Sequence, residues 1–177
     1  LKPTSMNALM YAMHLDTKIL TMLNEDVDSA LPEIQKLEKM VKSNISSFSR
    51  LHAAMMRYFM EELYVIYYAF KADYNSRFEH VLKMQEAVAV LVELDVVASS
   101  RKIMTAYDYL LQMYVTQRKT QEALDLAYKL DAMYSSAVGD YVNTSLVSDV
   151  ATAYIMAGKY DLALKYLEDV REYREQY

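Results

Sequence analysis

The stretch AYIMAGKYDLALKYLEDV, residues 153–170, places one of the chain's two glycines between two helical patterns. Apolar residues at steps of three and four predict a helix on each side of that glycine. Gly158 is predicted to end the first helix in the left-handed conformation, which glycine adopts without strain. Tyr154 and Tyr160 flank this turn, and Ala163 is small enough to let the second helix approach the first closely.

The composition of the chain favours an all-α fold. Its 177 residues include two Gly and two Pro, whereas β proteins of this length need many tight turns that those residues supply. The apolar periodicity predicts eight helices, near residues 5–24, 29–43, 47–71, 76–95, 100–116, 121–135, 141–157 and 160–177. Breaks with stop and start chemistry separate them, including one at residues 135–140 where Gly139 is predicted to be left-handed.

The spacing seen around Tyr154 recurs upstream in weaker form. Counting from Tyr114, the position of Ala163 is taken by Ala123, and counting from Thr21 it is taken by Ala30. Counting from Tyr68, the same position holds Arg77. Positions 30, 77, 123 and 163 are therefore 47, 46 and 40 residues apart, so the pattern predicts four successive helix pairs.

These helix pairs resemble the tetratricopeptide repeat in a divergent form, lengthened from the family's usual period of about 34 residues. The resemblance implies an all-α, right-handed α-α superhelix of about four antiparallel helix pairs. We expect one domain over residues 1–177, with repeat-like units near 5–43, 47–95, 100–137 and 141–177. An irregular helical bundle or a HEAT-like array is the alternative arrangement.

The resemblance also implies a binding surface, because the first helix of each pair lines a concave face on which the family binds peptides. On this chain the inward positions are Glu62, Ile66, Phe70, Asp108, Gln112, Thr116, Ser148, Thr152 and Met156. The lining is mixed and mildly acidic. It lacks the Lys and Asn with which family members hold a peptide's terminal carboxylate, so the ligand class stays open.

Charge and composition exclude several function classes. With 19 basic and 24 acidic residues, the net charge is −5, and the arginines are scattered, so we expect no nucleic-acid partner. The absence of cysteine excludes disulfides, thiolate metal sites and a cysteine nucleophile. No apolar run approaches the roughly 18 residues that span a bilayer, so we expect no membrane insertion within this chain.

The sequence offers no catalytic, cofactor or metal site. His14, His52 and His80 lie on three different predicted helices, without HExxH or ExxH spacing, and are interpreted as surface or half-buried side chains. The adjacent carboxylates Glu61 and Glu62 diverge by about 100° on a helix, so they cannot share a proton and are predicted to be solvated. Nucleophile and phosphate-binding motifs are absent.

One cluster of methionines and tyrosines permits two interpretations. At helical spacing these residues are expected to form core and inter-repeat packing. They would alternatively form an adaptable peptide-binding surface, because methionine repacks easily and tyrosine combines contact area with a hydroxyl. The cluster comprises Met55, Met56, Met60, Tyr64, Tyr67 and Tyr68.

The combined prediction is a non-enzymatic module for protein or peptide interaction, or for signal sensing. The segments DVDSALPEIQKLEKM, residues 26–40, and KYDLALKYLEDVREY, residues 159–173, carry a further resemblance. They are similar to divergent repeat regions that precede the membrane helix in bacterial two-component sensor kinases, which favours the periplasm over the cytoplasm. A cytoplasmic adaptor or regulatory scaffold is the first alternative. The second is the accessory domain of an enzyme whose catalytic part lies elsewhere.

The two ends of the chain predict a fragment of a longer protein, because it starts at Leu1 without methionine and stops at Tyr177 inside a helical pattern. An apolar stripe that includes Tyr166, Leu167 and Val170 continues to this end. Repeat arrays normally cover such a face with a polar capping helix. We therefore expect either a further helix or a homodimer formed through the C-terminal helix.

Overall fold

A computed structural model describes residues 3–94, 100–136 and 144–176, and these residues contain eight α-helices. The helices are α1 (Pro3–Glu25), α2 (Val27–Asn44), α3 (Arg50–Phe70), α4 (Tyr74–Glu93), α5 (Ser100–Thr116), α6 (Thr120–Ser136), α7 (Thr144–Met156) and α8 (Tyr160–Gln176). No end differs from the predicted one by more than three residues, so the helix assignment is confirmed. Gly139 lies outside the described residues.

The chain divides into two compact units, residues 1–100 and 101–177. The division falls between α4 and α5, where the sequence predicts the break between the second and third repeat-like units. Each unit contains four helices. The assignment of the whole chain to one domain stays a prediction.

One hydrophobic cluster in the first unit is built from apolar faces of α1, α2 and α3, and α4 buries five further apolar residues. α1 and α2 bury small and aliphatic residues, whereas α3 contributes methionine and tyrosine, including Met56 and Tyr67. α3 carries ten buried residues in 21 positions, so it is buried on most of its circumference. Each buried aliphatic or aromatic side chain stabilises the fold by about 1.5–3 kcal/mol relative to an exposed one.

The hairpin between α7 and α8 turns as the sequence predicts. Gly158 has φ +69°. Its N–H donates to the Ile155 carbonyl at 3.0 Å, and the Lys159 N–H donates to the Tyr154 carbonyl at 2.8 Å. This pair of hydrogen bonds is the Schellman motif, which satisfies carbonyls that the end of a helix would leave without partners.

Two other hairpins have the same turn without glycine. Ala72, between α3 and α4, has φ 53°, and Arg118, between α5 and α6, has φ 56°. The following residue donates its N–H to the carbonyl of Tyr68 in one hairpin and of Tyr114 in the other, at 3.0 and 2.9 Å. A tyrosine therefore stands at the same turn position in all three hairpins, which is the register that the sequence pattern predicts.

The small residues predicted at the helix crossings are buried in three of the four pairs. Ala30 and Ala123 are 0% exposed and Ala163 is 3% exposed. Arg77, at the corresponding position of α4, is half-buried. The close approach of the helices itself stays a prediction, and α4 carries a long side chain at the same position.

Tyrosine hydroxyls and rings join the helices of the second unit. Tyr154 on α7 donates a hydrogen bond to the Asp131 carboxylate of α6 at 3.1 Å, and its ring lies 5.6 Å from that of Tyr128. Lys129 on α6 donates to the Tyr107 hydroxyl of α5 at 2.8 Å. These contacts place α6 against both α5 and α7.

Candidate interaction surface

The least buried face of α3 carries an apolar stripe around one carboxylate. The positions are separated by four, three, four and four residues, which places them on one side of a helix. We call this set the α3 stripe, and it consists of Met55, Phe59, Glu62, Ile66 and Phe70. Three of its apolar members are half-buried, and Phe70 at the C-terminal end is 43% exposed.

Glu62 is the polar member of the α3 stripe. It is only 7% exposed, and the Tyr58 hydroxyl, one turn earlier on α3, donates a hydrogen bond to its Oε1 at 3.1 Å. A buried carboxylate costs free energy unless hydrogen bonds or cations compensate it. The side chain is therefore held in a fixed position beside the apolar residues.

The prediction that Glu61 and Glu62 are solvated is wrong, because both carboxylates are 7% exposed. Their predicted divergence is nevertheless found. Glu61 reaches the opposite side of α3, where its Oε2 lies 2.6 Å from Nδ1 of His80 on α4. Each carboxylate thus has a separate partner, and the pair does not share a proton.

Behind the α3 stripe, α2, α3 and α4 meet at an aromatic cluster. The ring of His80 stacks on Tyr64 at 4.4 Å and on Tyr68 at 5.3 Å between ring centroids. The Tyr64 hydroxyl donates to the Glu38 carboxylate of α2 at 2.9 Å. This cluster supports the back of α3 and so fixes the orientation of the stripe on its front.

Local charges and burial shift three pKa values in this aromatic cluster, and burial raises that of Tyr68. A hydrogen bond from Lys42 at 2.7 Å lowers the pKa of Glu38. Burial raises the pKa of Tyr64, and its hydrogen bond to the Glu38 carboxylate raises it further. Tyr64 therefore stays a neutral hydrogen-bond donor at physiological pH.

The methionine and tyrosine cluster of α3 is mainly core, as the favoured interpretation predicts. Met56, Met60, Tyr64 and Tyr67 are all at most 8% exposed. Met55 is half-buried and belongs to the α3 stripe. Tyr68, at the other end of the cluster, is also half-buried and packs against the core.

On α5 the predicted groove residues differ in exposure. Asp108 is 5% exposed, Gln112 is half-buried and Thr116 is exposed. The open face of this helix also includes Thr105 and Tyr109, which precede Gln112 at helical spacing. It is polar, and it presents hydrogen-bonding groups where α3 presents apolar ones.

On α7 the predicted groove residue Ser148 is exposed, and Thr152 and Met156 are half-buried. Ile155, which the sequence did not single out, is 48% exposed on the same side as Ser148 and Thr152. The groove assignment of these residues stays a prediction, as it does for α3 and α5. Helical steps of three and four residues from Glu62, Gln112 and Thr152 would have identified the additional residues on the same faces. These are Met55 and Phe59 on α3, Thr105 and Tyr109 on α5, and Ile155 on α7.

The histidines contribute no metal centre within the described ranges. His14 is exposed, His52 accepts or donates a hydrogen bond with Ser49 at 2.7 Å, and His80 pairs with Glu61. Among residues 3–94, 100–136 and 144–176, no group of three or more His, Asp or Glu side chains could hold a metal ion. In the same residues, no helix combines the length and apolar character needed to cross a bilayer.

No family model matches the chain, and no curated protein matches it. The solved structures that resemble it are those of a Podosopora anserina protein described as a candidate kinesin light chain with nearly identical TPR-like repeats, and of a single-substitution variant. Each is 15% identical, with a TM-score of 0.44, over 99% of this chain and 98% of that one.

The described residues form an all-α fold of successive helix hairpins that is similar to tetratricopeptide-like repeats. Three of these hairpins share one turn geometry, with tyrosine at the same place. Repeats of this kind generally present the faces of their helices to other proteins.

Proposed function

We propose that this chain is a non-enzymatic protein-interaction module, and that the α3 stripe binds an apolar segment of a partner protein. The observation that supports this role is the row of apolar side chains beside the buried Glu62 carboxylate. Many apolar residues on the other faces of α3, such as Met56 and Val65, are buried in the protein core, whereas Phe70 at the end of the stripe is 43% exposed. Covering the stripe would remove further apolar surface from water, at about 25 cal/mol per Å².

The charge of the site determines the chemistry of the proposed partner. The chain has a net charge of −5, and Glu62 lies within the apolar stripe. A segment with two apolar side chains about one helical turn apart, next to Lys or Arg, would contact both parts of this surface.

A random-peptide display library, selected on the purified chain, provides the test. We expect the enriched peptides to carry apolar residues with a neighbouring basic residue. For a synthetic peptide of the enriched sequence, Ile66→Asp or Phe70→Asp should weaken binding at least tenfold, which corresponds to about 1.4 kcal/mol. Fluorescence anisotropy with a labelled peptide measures this change.

Leu82 provides a matched control because it is 42% exposed, nearly the same as Phe70, but lies on α4. Leu82→Asp should leave the peptide affinity unchanged. Glu62→Gln should weaken the binding of peptides that contain the basic residue. It should weaken the binding of peptides that carry alanine in place of that basic residue less. Unchanged binding by both Ile66→Asp and Phe70→Asp, with circular dichroism showing an intact fold, would contradict the proposal.

The finer role, the extracytoplasmic sensor region of a bacterial two-component kinase, stays a prediction. The cytoplasmic adaptor and the accessory domain of an enzyme are its alternatives. If residues 1–177 belong to a longer protein, the sequence next to them separates these roles. A bilayer-spanning helix followed by a kinase domain would support the sensor role. A soluble effector domain would support the adaptor role, and a catalytic domain would support the accessory role.

A further inference from the structure

The last helix presents apolar residues to solvent on a face that its counterpart in the same unit buries. Leu164 and Leu167 of α8 are 59% and 42% exposed. The residues 40 positions earlier on α6 are Leu124 and Ala127, which are 9% and 0% exposed. The two helices therefore carry the same apolar pattern in different surroundings.

The α6 face is covered by the first helix of the hairpin that follows it. Asp131 and Tyr128 on this face contact Tyr154 of α7, by a 3.1 Å hydrogen bond and a 5.6 Å ring contact. The equivalent face of α8 thus has the composition of a surface that receives the first helix of another hairpin. We call the exposed pair Leu164 and Leu167 the tail face.

The first helix shows the complementary situation. Met13 and Leu20 of α1 are 57% and 54% exposed. Their counterparts 47 positions later on α3 are Met60 and Tyr67, which are buried in the core cluster that α3 shares with α1 and α2. We call the exposed pair Met13 and Leu20 the head face.

Capping residues support this alignment of α1 with α3. Asp26 begins α2 and Asp73 begins α4, and they are also 47 positions apart. Each accepts a hydrogen bond from a backbone N–H in the first turn of its helix. The head face of α1 therefore corresponds to the surface with which α3 packs on the hairpin before it.

From this correspondence we infer that the chain associates with itself head to tail, the head face of one copy packing on the tail face of the next. A second copy is the occupant because it supplies both halves of a contact that the chain already makes twice internally, between α2 and α3 and between α6 and α7. The contact is heterologous, so it leaves one face free at each end and permits chains of more than two copies. It is independent of the α3 stripe.

Sedimentation velocity over roughly 10 µM to 1 mM protein tests the inference, since weak interfaces become populated in that range. We expect the average mass to exceed that of a dimer at the upper end. One double variant, Leu164→Glu with Leu167→Glu, should block the tail face. The other, Met13→Glu with Leu20→Glu, should block the head face. Each double variant alone should remain monomeric.

An equimolar mixture of the two double variants is the decisive sample. Each variant keeps one intact face, so the mixture should form a 1:1 dimer and no larger species. Leu82→Glu, which changes an exposed apolar residue on α4, should associate like the unmodified chain. Circular dichroism checks that every variant keeps its helical fold.

Three outcomes would overturn the inference. The unmodified chain would remain monomeric up to 1 mM if these faces are covered by other segments of a longer protein or by a different partner. The head-face variant would still dimerise if two tail faces pair symmetrically. The mixture would stay monomeric if the head and tail faces do not recognise each other.

Discussion

The α7–α8 hairpin and the α3–α4 hairpin have the same turn but different residues. The α7–α8 turn uses Gly158 at φ +69°, whereas the α3–α4 turn uses Ala72 at φ 53°. A C-terminal tyrosine carbonyl of the first helix accepts the closing hydrogen bond in both. The difference indicates that the packing of the two helices determines the turn, and that glycine lowers its conformational cost without being required.

The two hairpins also differ where their helices cross. Ala163 is 3% exposed on α8, whereas Arg77 is half-buried at the equivalent position of α4. A small residue permits close contact between the helix backbones, and a long side chain requires space beside the crossing. The same hairpin backbone therefore accepts either a small or a long side chain at this position. The following substitutions test how much each contact contributes to stability.

The largest effect is expected at the helix crossing of α5 and α6. Ala123 is 0% exposed, so Ala123→Leu inserts a side chain where no space remains and should lower the free energy of unfolding by about 1–3 kcal/mol. Urea unfolding, with hydrogen exchange of α6 amides, measures the change. Ala132→Leu, on the exposed side of the same helix, should stay within about 0.5 kcal/mol. Equal effects of the two substitutions would remove the distinction between crossing and surface positions.

The turn tyrosines provide the next comparison. Tyr154 is 1% exposed and donates a hydrogen bond to Asp131, whereas Tyr68 is half-buried and stacks on His80. Tyr154→Phe should cost about 0.5–1.5 kcal/mol, because it removes one hydrogen bond to a carboxylate that water can still reach. Tyr68→Phe keeps the ring contact and should cost less than about 0.5 kcal/mol. Thermal unfolding at pH 7 compares them, and a larger loss for Tyr68→Phe would reverse the assignment.

The same tyrosine gives a pH dependence with a defined sign. Burial first, and then the Asp131 carboxylate, raise the pKa of Tyr154 above its usual value of 10.0. In the unfolded chain the phenol ionises near pH 10, so its contribution to stability is complete below that pH and decreases above it. Tyr154→Phe should therefore reduce the loss of stability between pH 9 and 11. Urea unfolding at each pH measures the free energy of unfolding. If it falls equally steeply with pH in Tyr154→Phe and in the unmodified chain, this effect is contradicted.

Substitutions at the turn residue should change the free energy of unfolding in opposite directions in the two hairpins. A Cβ added at Gly158 meets no atom within 4 Å, so Gly158→Ala tests the conformational cost alone and should destabilise by about 1 kcal/mol. Ala72→Gly should stabilise by about 0.5–1 kcal/mol, because it relieves the positive φ. Midpoints of urea unfolding measure both changes. A destabilising Ala72→Gly would show that the Ala72 side chain itself contributes to the turn.

The features predicted correctly from the sequence are those that local physics determines. Eight helices follow from apolar periodicity, and the conformation of Gly158 follows from its freedom at positive φ. The burial of Ala30, Ala123 and Ala163 follows from their constant distance to the turn. Each of these inferences depends on residues fewer than about 15 positions apart.

The polar residues of the candidate site could not be predicted in the same way. Glu61 and Glu62 are adjacent on α3 and buried, because α3 is surrounded on most sides, and Asp108 on α5 is likewise 5% exposed. Periodicity shows which residues share a face, but not how many faces other helices cover. The partner of Glu61 is His80, 19 positions away on another helix, and that pairing depends on helix packing.

The smallest effect is expected from the ion pair at the open end of the α3–α4 hairpin. Arg50 near the start of α3 contacts the Glu93 carboxylate at the end of α4, and both side chains are more than half exposed, at 58% and 62%. Solvent screens such pairs and their side-chain entropy opposes them, so Glu93→Gln should cost at most about 0.5 kcal/mol. The difference should disappear in 1 M NaCl, where the screening length is about 3 Å. Glu86→Gln, another exposed carboxylate on α4, is the control. If Glu93→Gln destabilised the chain more than Gly158→Ala, the open ends of the hairpins would govern their stability more than the turns, and the comparison between the two turns would lose its meaning.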